Sequence, residues 1–209
     1  MWDLMDILWQ YAYKRQEIFM GNPVDDEILH AYKFTNCYRA CDRVSQYLNK
    51  NVITDNSIDC LFRILLFKTY NRIDTWELLT EELGEEPHWQ GYSFERYAGA
   101  LTKLVKSGKK LFSPAFLHCL GRSSFGYKER YLNHLAKVSV WTCKVWDLLP
   151  RCRNLEDSFL MMLQQDMAGN FVAMQNAIDI NYSELTDFDE ARSLCLCLPS
   201  FGVEAGYAT

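Results

Sequence analysis

Apolar residues recur at helical rather than strand spacing along almost the whole chain. Between residues 2 and 20, Leu4, Ile7, Leu8, Tyr11, Ile18 and Phe19 fall on one side of a helix, which predicts an amphipathic element with that set buried. Gly21-Asn22-Pro23 ends it, since Gly permits a C-cap and Pro cannot continue the hydrogen-bond ladder. Asp25 and Asp26 open a second helix, where carboxylates complement the N-terminal dipole. Ile28, Leu29 and Tyr32 lead from it into the run 32–48, with a break expected near Phe34. In that run Phe34, Tyr38, Cys41, Val44 and Leu48 share one side, expected to face the core. Asn36, Arg39, Arg43 and Gln46 occupy the other, with Asp42 at the boundary.

The remainder repeats the theme. After a loop at Thr54-Asp55-Asn56, the stretch Ile58, Leu61, Phe62, Ile64, Leu65, Leu66 and Phe67 is apolar nearly all round, which predicts a central buried helix. A turn at 71–74 precedes a helix from Thr75 that ends at Leu83-Gly84, and 85–92 reads as a surface loop. The segment 106–114 is a second break, followed by a small-residue loop at 121–127. A long helix from Lys128 to Leu149 turns Leu132, Leu135, Val138, Trp141, Val145 and Leu148 inward, and Pro150 closes it. A Met-rich helix over 155–165 and a turn at 166–169 lead into the last helical motif. No period-2 pattern survives, so the expected fold is all-α: one compact multi-helix domain over 1–209.

Composition sharpens this. A chain of 209 residues with 49% hydrophobic and 14% aromatic content suits one sizeable core rather than two. No apolar run reaches the ~18 residues of a membrane span, and the N-terminus lacks a basic signal-peptide segment. The expectation is a soluble cytoplasmic protein, in a bacterial cell or a phage-infected host. The eight cysteines show no C-x-x-C pair and no His at zinc-finger spacing, so no metal or other cofactor is expected and the thiols read as reduced and buried. Net charge is −5, yet residues 95–137 alone carry +7, leaving −12 elsewhere. Lys103, Lys106, Lys109, Lys110, Arg122 and Lys128 are therefore candidate contacts to the phosphates of DNA. The same run also suits a solvated face balanced by acidic neighbours.

Two constellations carry candidate chemistry. Arg39 and Arg43, at i and i+4, repel unless an anion or a carboxylate such as Asp42 lies between them, and guanidinium forks suit phosphate. Gln175, Asp179 and Tyr182 share one helical stripe. A carboxylate beside an amide and a phenol can hold a base edge, or stabilise the oxocarbenium-like sugar of glycoside cleavage. Asp179 is equally suited to capping the next element. Gly169-Asn170 offers backbone N–H groups to a phosphate. His30, His88, His118 and His134 are scattered and read as structural or surface groups. Gly108-Lys109-Lys110 lacks both the first Gly and the following Ser/Thr of a P-loop.

The run 34–44 resembles the signature Phe-x-Asn-x-x-Arg-x-x-Asp-Arg-Val, and 169–182 resembles a Gly-x-Phe-x-Ala-x-Gln motif ending in Asp. With the lead-ins Arg15-Gln-Glu17-Ile18 and Asp25-Asp26-Glu27-Ile28-Leu29, the likeness covers roughly residues 10–185. The family is that of the helical domain attached to 5-hydroxymethyluracil DNA kinases and of the related alpha-glutamyl/putrescinyl thymine pyrophosphorylases. The resemblance implies a DNA glycosylase-like helical fold and double-stranded phage DNA with hypermodified pyrimidines as the substrate. Within it, Asp179 is the implied catalytic carboxylate, with Asp42 the other candidate, and Asn36, Arg39, Arg43, Gln175 and Tyr182 the substrate contacts. The expected cleft lies between the 36–46 face and the 169–182 helix. Glycosylase-type base excision leads. Replacement of pyrophosphate on an activated thymine by an amine or amino acid is an alternative, as is a non-catalytic DNA-binding module partnering a separate kinase. The stretch 198–209 departs from the Gly-Pro-Gly continuation of that family.

Overall fold

The computed structural model describes residues 4–32, 34, 39–114 and 125–189. Contacts divide the chain into two compact units, Met1–Tyr47 and Leu48–Thr209.

The first unit holds α1 (Leu4–Phe19), α2 (Glu27–Ala31), a 3-10 turn at Arg39–Cys41 and the start of α3 (Arg43–Asn51). It is tied together by a few polar and aromatic contacts. The Tyr11 ring meets Phe34 edge-on at 6.0 Å, Arg15 donates to the Phe34 carbonyl at 3.0 Å, and Lys14 pairs with Asp26 at 2.9 Å. Asp26 also caps α2 by accepting the Leu29 N–H.

Two expectations fail in this unit. α1 forms nearly as foreseen, but none of its residues is buried. Leu4 (77% exposed), Ile7, Leu8 and Phe19 are exposed, while Tyr11 and Ile18 are half-buried. Periodicity identifies which residues form an apolar side; it does not supply the partner, and a unit of this size offers little surface to enclose a four-turn helix. Nor is 32–48 one helix. The Asp42 carboxylate accepts the N–H groups of Val44 and Ser45 at 3.0 and 3.3 Å, so the chain starts α3 afresh at Arg43. Of the expected inward set Leu48 is fully buried, and Phe34, Cys41 and Val44 are half-buried. Tyr38 lies outside the described residues.

The second unit contains α4 (Ile58–Tyr70), α5 (Ile73–Leu83), α6 (Phe94–Lys106), α7 (Arg130–Leu148), α8 (Leu155–Leu163) and α9 (Asn170–Asn181). α4 is its axis. Ser57 caps it, every residue from Cys60 to Tyr70 is buried, and it packs on α5, α7 and α9. The helix ends where Asn71 turns left-handed (φ 48°), a conformation Asn tolerates better than most residues. α5 pairs with α6 and α8 with α9. Along α7, Leu135, Val138, Trp141 and Val145 are buried as expected, with Leu132 and Leu148 half-buried.

The loop at 85–92 is more than a surface connection. Trp89 and Tyr92 stack at 5.6 Å and both lie against the buried Phe62, while Pro87 is itself buried. Among the described residues every regular element is helical, so the all-α fold class holds. None of those helices is long and apolar enough to cross a membrane.

Candidate functional site

The interior of the second unit contains charge that an apolar core would exclude. Lys68, on the all-buried face of α4, and Asp179, on α9, approach to 3.2 Å with side chains 3% and 0% exposed. Lys68 also donates to Asn71 Oδ1 at 2.6 Å. Burying two charges is costly unless they pair and their remaining hydrogen-bonding capacity is filled, and breaking such a pair typically costs about 3–5 kcal/mol. The α4–α9 contact is thus fixed in register by a carboxylate and an ammonium as well as by packing. Lys68 was not among the residues singled out from the sequence, although a signal existed. A cation on a helix that is apolar all round must share its burial.

Asp179 is an interior ion-pair partner of Lys68. Gln175 and Tyr182 of the same stripe are half-buried, and Tyr182 is the residue at which α9 ends. Asp42, Arg39 and Arg43 belong to the first unit. There Asp42 caps α3, Arg39 is half-buried and Arg43 is exposed. Asn36 lies outside the described residues.

The basic segment separates into engaged and unengaged cations. Arg96 pairs with Glu85 at 2.6 Å and Lys103 with Glu82 at 2.5 Å, and Arg130 lies 4.5 Å from the centre of the Phe112 ring. Lys137, counted with the basic surface in the sequence, is 1% exposed. Its ammonium nitrogen sits 4.3 Å from the centre of the Trp141 ring and has no hydrogen-bond partner among the described residues. Burial alone lowers its pKa from 10.5 to about 7. One turn away, burial together with the charges of Lys137 and Arg130 lowers His134 to about 3.

Lys106, Lys109, Lys110 and Lys128 remain exposed, and none is ion-paired among the described residues. Lys109 and Lys110 line an open groove of about 420 Å³ together with Glu77 and Glu81, where Arg72 is already held by Asp74 at 2.7 Å. Their loop is anchored at both ends. The Thr75 hydroxyl donates to the Leu111 carbonyl at 2.8 Å, and the Ser113 N–H donates to the Tyr70 carbonyl at 2.9 Å. Arg122 lies outside the described residues, as do His118, Cys37, Cys119, Cys195 and Cys197.

Among the described residues no group of three or more His, Cys, Asp or Glu is placed to hold a metal ion. Cys60 is buried, but Cys143 is exposed, against the expectation of buried thiols. His30 bonds the Val24 carbonyl and His88 the Glu86 carbonyl, both local structural contacts.

The arrangement defines an all-helical protein with a buried ion pair and, among the described residues, exposed lysines outside any ion pair. The chain matches the family model described as the helical domain of 5-hmdU DNA kinase over residues 3–203, and it belongs to that family. The match spans nearly the whole chain and takes in both motifs read from the sequence. No curated protein and no solved structure matches it.

Proposed function

We propose that this chain is a helical module that holds DNA bearing 5-hydroxymethylated pyrimidines for a kinase. The observation that carries this reading is the sorting of the basic segment. Arg96, Lys103, Arg130 and Lys137 are committed to carboxylates, rings or the interior, whereas Lys106, Lys109, Lys110 and Lys128 project without ion-pair partners among the described residues. Cations left unpaired beside an anchored loop suit a phosphate backbone, which rewards charge at fixed positions. The family description supplies the kinase and the modified base, and these 209 residues contain no phosphate-binding P-loop.

The test is affinity for duplexes carrying 5-hydroxymethyluracil as salt is raised. Binding should weaken with a log–log slope near −0.9 per phosphate contact. Reversing Lys106, Lys109 and Lys110 to Glu should flatten the slope by roughly 2–3. Salt-independent binding, or none, would remove the reading.

Base excision is the second reading, favoured by the Lys68–Asp179 pair at the end of the second motif. A carboxylate beside the sugar stabilises an oxocarbenium-like centre, and Asp179 would have to part from Lys68 and open to the substrate to act so. Treated phage DNA should then release free base, and Asp179→Asn should abolish about two to four orders of magnitude of that release. Absence of free base, with DNA binding intact, leaves the module reading alone.

A further inference from the structure

The first turn of α6 and the entry to α7 bring two aromatic rings together at the surface. Phe94 and Tyr127 stack with centroids 4.9 Å apart and planes 23° from parallel. Tyr127 is 40% exposed. The stack is built from beneath. Asn133, itself buried, accepts the Tyr127 N–H at 2.9 Å and donates to the Tyr127 carbonyl at 2.6 Å, while also bonding the Glu129 carbonyl. One side-chain amide therefore fixes the backbone on both sides of an exposed ring. Gly126, with φ +73°, supplies the left-handed turn that delivers it. At the opposite edge Ser93 caps α6 and holds Phe94 at the start of the helix.

The charge around this pair is also sorted. Arg96 is committed to Glu85 and to the Leu83 carbonyl, leaving Lys128, next in sequence to Tyr127, as an exposed cation without an ion pair among the described residues. From Phe94 the axis of α6 runs its full 13 residues to Lys106. At 1.5 Å per residue that is roughly 20 Å, or about six phosphate steps along one strand at 3.4 Å each. An aromatic ring with a lysine at one end of a helix and three lysines at the other fits a strand of nucleic acid that presents a base to one and its backbone to the other.

We infer that Tyr127, backed by Phe94, is a stacking platform for an unpaired nucleobase, with Lys128 on the adjacent phosphate. The inference rests on the DNA-holding reading and goes beyond it by naming where a base, rather than the backbone, is bound. Stacking on an aromatic ring is tolerant of base identity, so the platform holds a base without selecting it.

The probe is a short duplex with one bulged 2-aminopurine, whose fluorescence falls when the base stacks. The protein should bind it and quench it. Tyr127→Ala should lose the quench and weaken binding by about 5- to 150-fold, with the salt slope unchanged. Tyr127→Phe should keep both, because the ring is retained and the hydroxyl is not used. Thermal melting of both variants places any loss of binding on the surface rather than on the fold. If Tyr127→Ala binds and quenches like the parent, or only lowers the melting temperature, the platform is overturned while DNA holding stands. If the parent protein fails to bind any duplex, both fall.

Discussion

α1 and α4 are written in similar letters and end in opposite environments. Both are rich in large apolar residues, yet α4 is buried without interruption from Cys60 to Tyr70 and α1 has no buried residue at all. The difference is in the company each helix keeps. α4 meets three other helices of its unit, α5, α7 and α9, whereas the elements in the same unit as α1 are a five-residue helix, a 3-10 turn and the first turns of α3. A pattern of apolar residues specifies a face in search of a partner, and only the topology decides whether one is there. The comparison also explains the charges. Because α4 is enclosed on every side, Lys68 had to find Asp179 within the core; Arg63, on the same helix, reaches out instead to the Val52 carbonyl and to Asp55.

The largest test of this contrast is truncation of one large apolar side chain in each helix. Phe62 is fully buried and touches Trp89, Tyr92 and Tyr97, so Phe62→Ala should cost about 3–5 kcal/mol in denaturant unfolding. Leu8→Ala in α1 should stay within about 0.5 kcal/mol, the range of exposed positions. A loss of several kcal/mol at Leu8 would show α1 to be as enclosed as α4.

A subtler test uses the buried lysine of α7. The folded-state pKa of Lys137 is depressed, so between about 7 and 10.5 the unfolded chain binds the extra proton. Stability should therefore be full above pH 10.5 and fall as pH drops toward 7, by a few kcal/mol at roughly 1.4 kcal/mol per unit. His134 is depressed in the same sense and continues the loss from its ordinary 6.5 toward about 3. Lys137→Met should flatten the upper part of this profile and reduce, without abolishing, the lower part, because burial and Arg130 still depress His134 once the Lys137 charge is gone. An unchanged slope between pH 7 and 10 would place the Lys137 ammonium in water. The smallest effect belongs to the first unit: Asp42→Ala removes the cap of α3 and should cost about 1 kcal/mol.

The fold was readable where the pattern was unambiguous. α4, α7, α8 and α9 follow from periodicity, and the stops at Gly84 and after Leu148 follow from backbone chemistry. The capping role of Asp42 was concealed because a continuous apolar stripe across 32–48 outweighed a local carboxylate that could start a new helix. Lys137 was concealed because charge counts along a sequence treat every lysine as solvated. Its position one turn before Trp141 on the inward side of α7 was the available signal. Of the candidate site, Asp179 was legible as part of a stripe, but its ion pair with Lys68 spans more than a hundred residues and no local pattern could supply it.

The two hydrogen bonds that anchor the lysine loop have a consequence for how the chain assembles. Thr75 reaches Leu111 across 36 residues, and Ser113 reaches back to Tyr70, so α5 and α6 leave and re-enter the unit at nearly the same point. In folding terms they are an insertion between α4 and α7: a helical hairpin whose internal contacts are local, closed at its base. The entropy of that closure grows only with the logarithm of its length. The hairpin can therefore order early and bring the ends of α4 and α7 together, so that the pairing at the centre of the unit forms between neighbours rather than strangers.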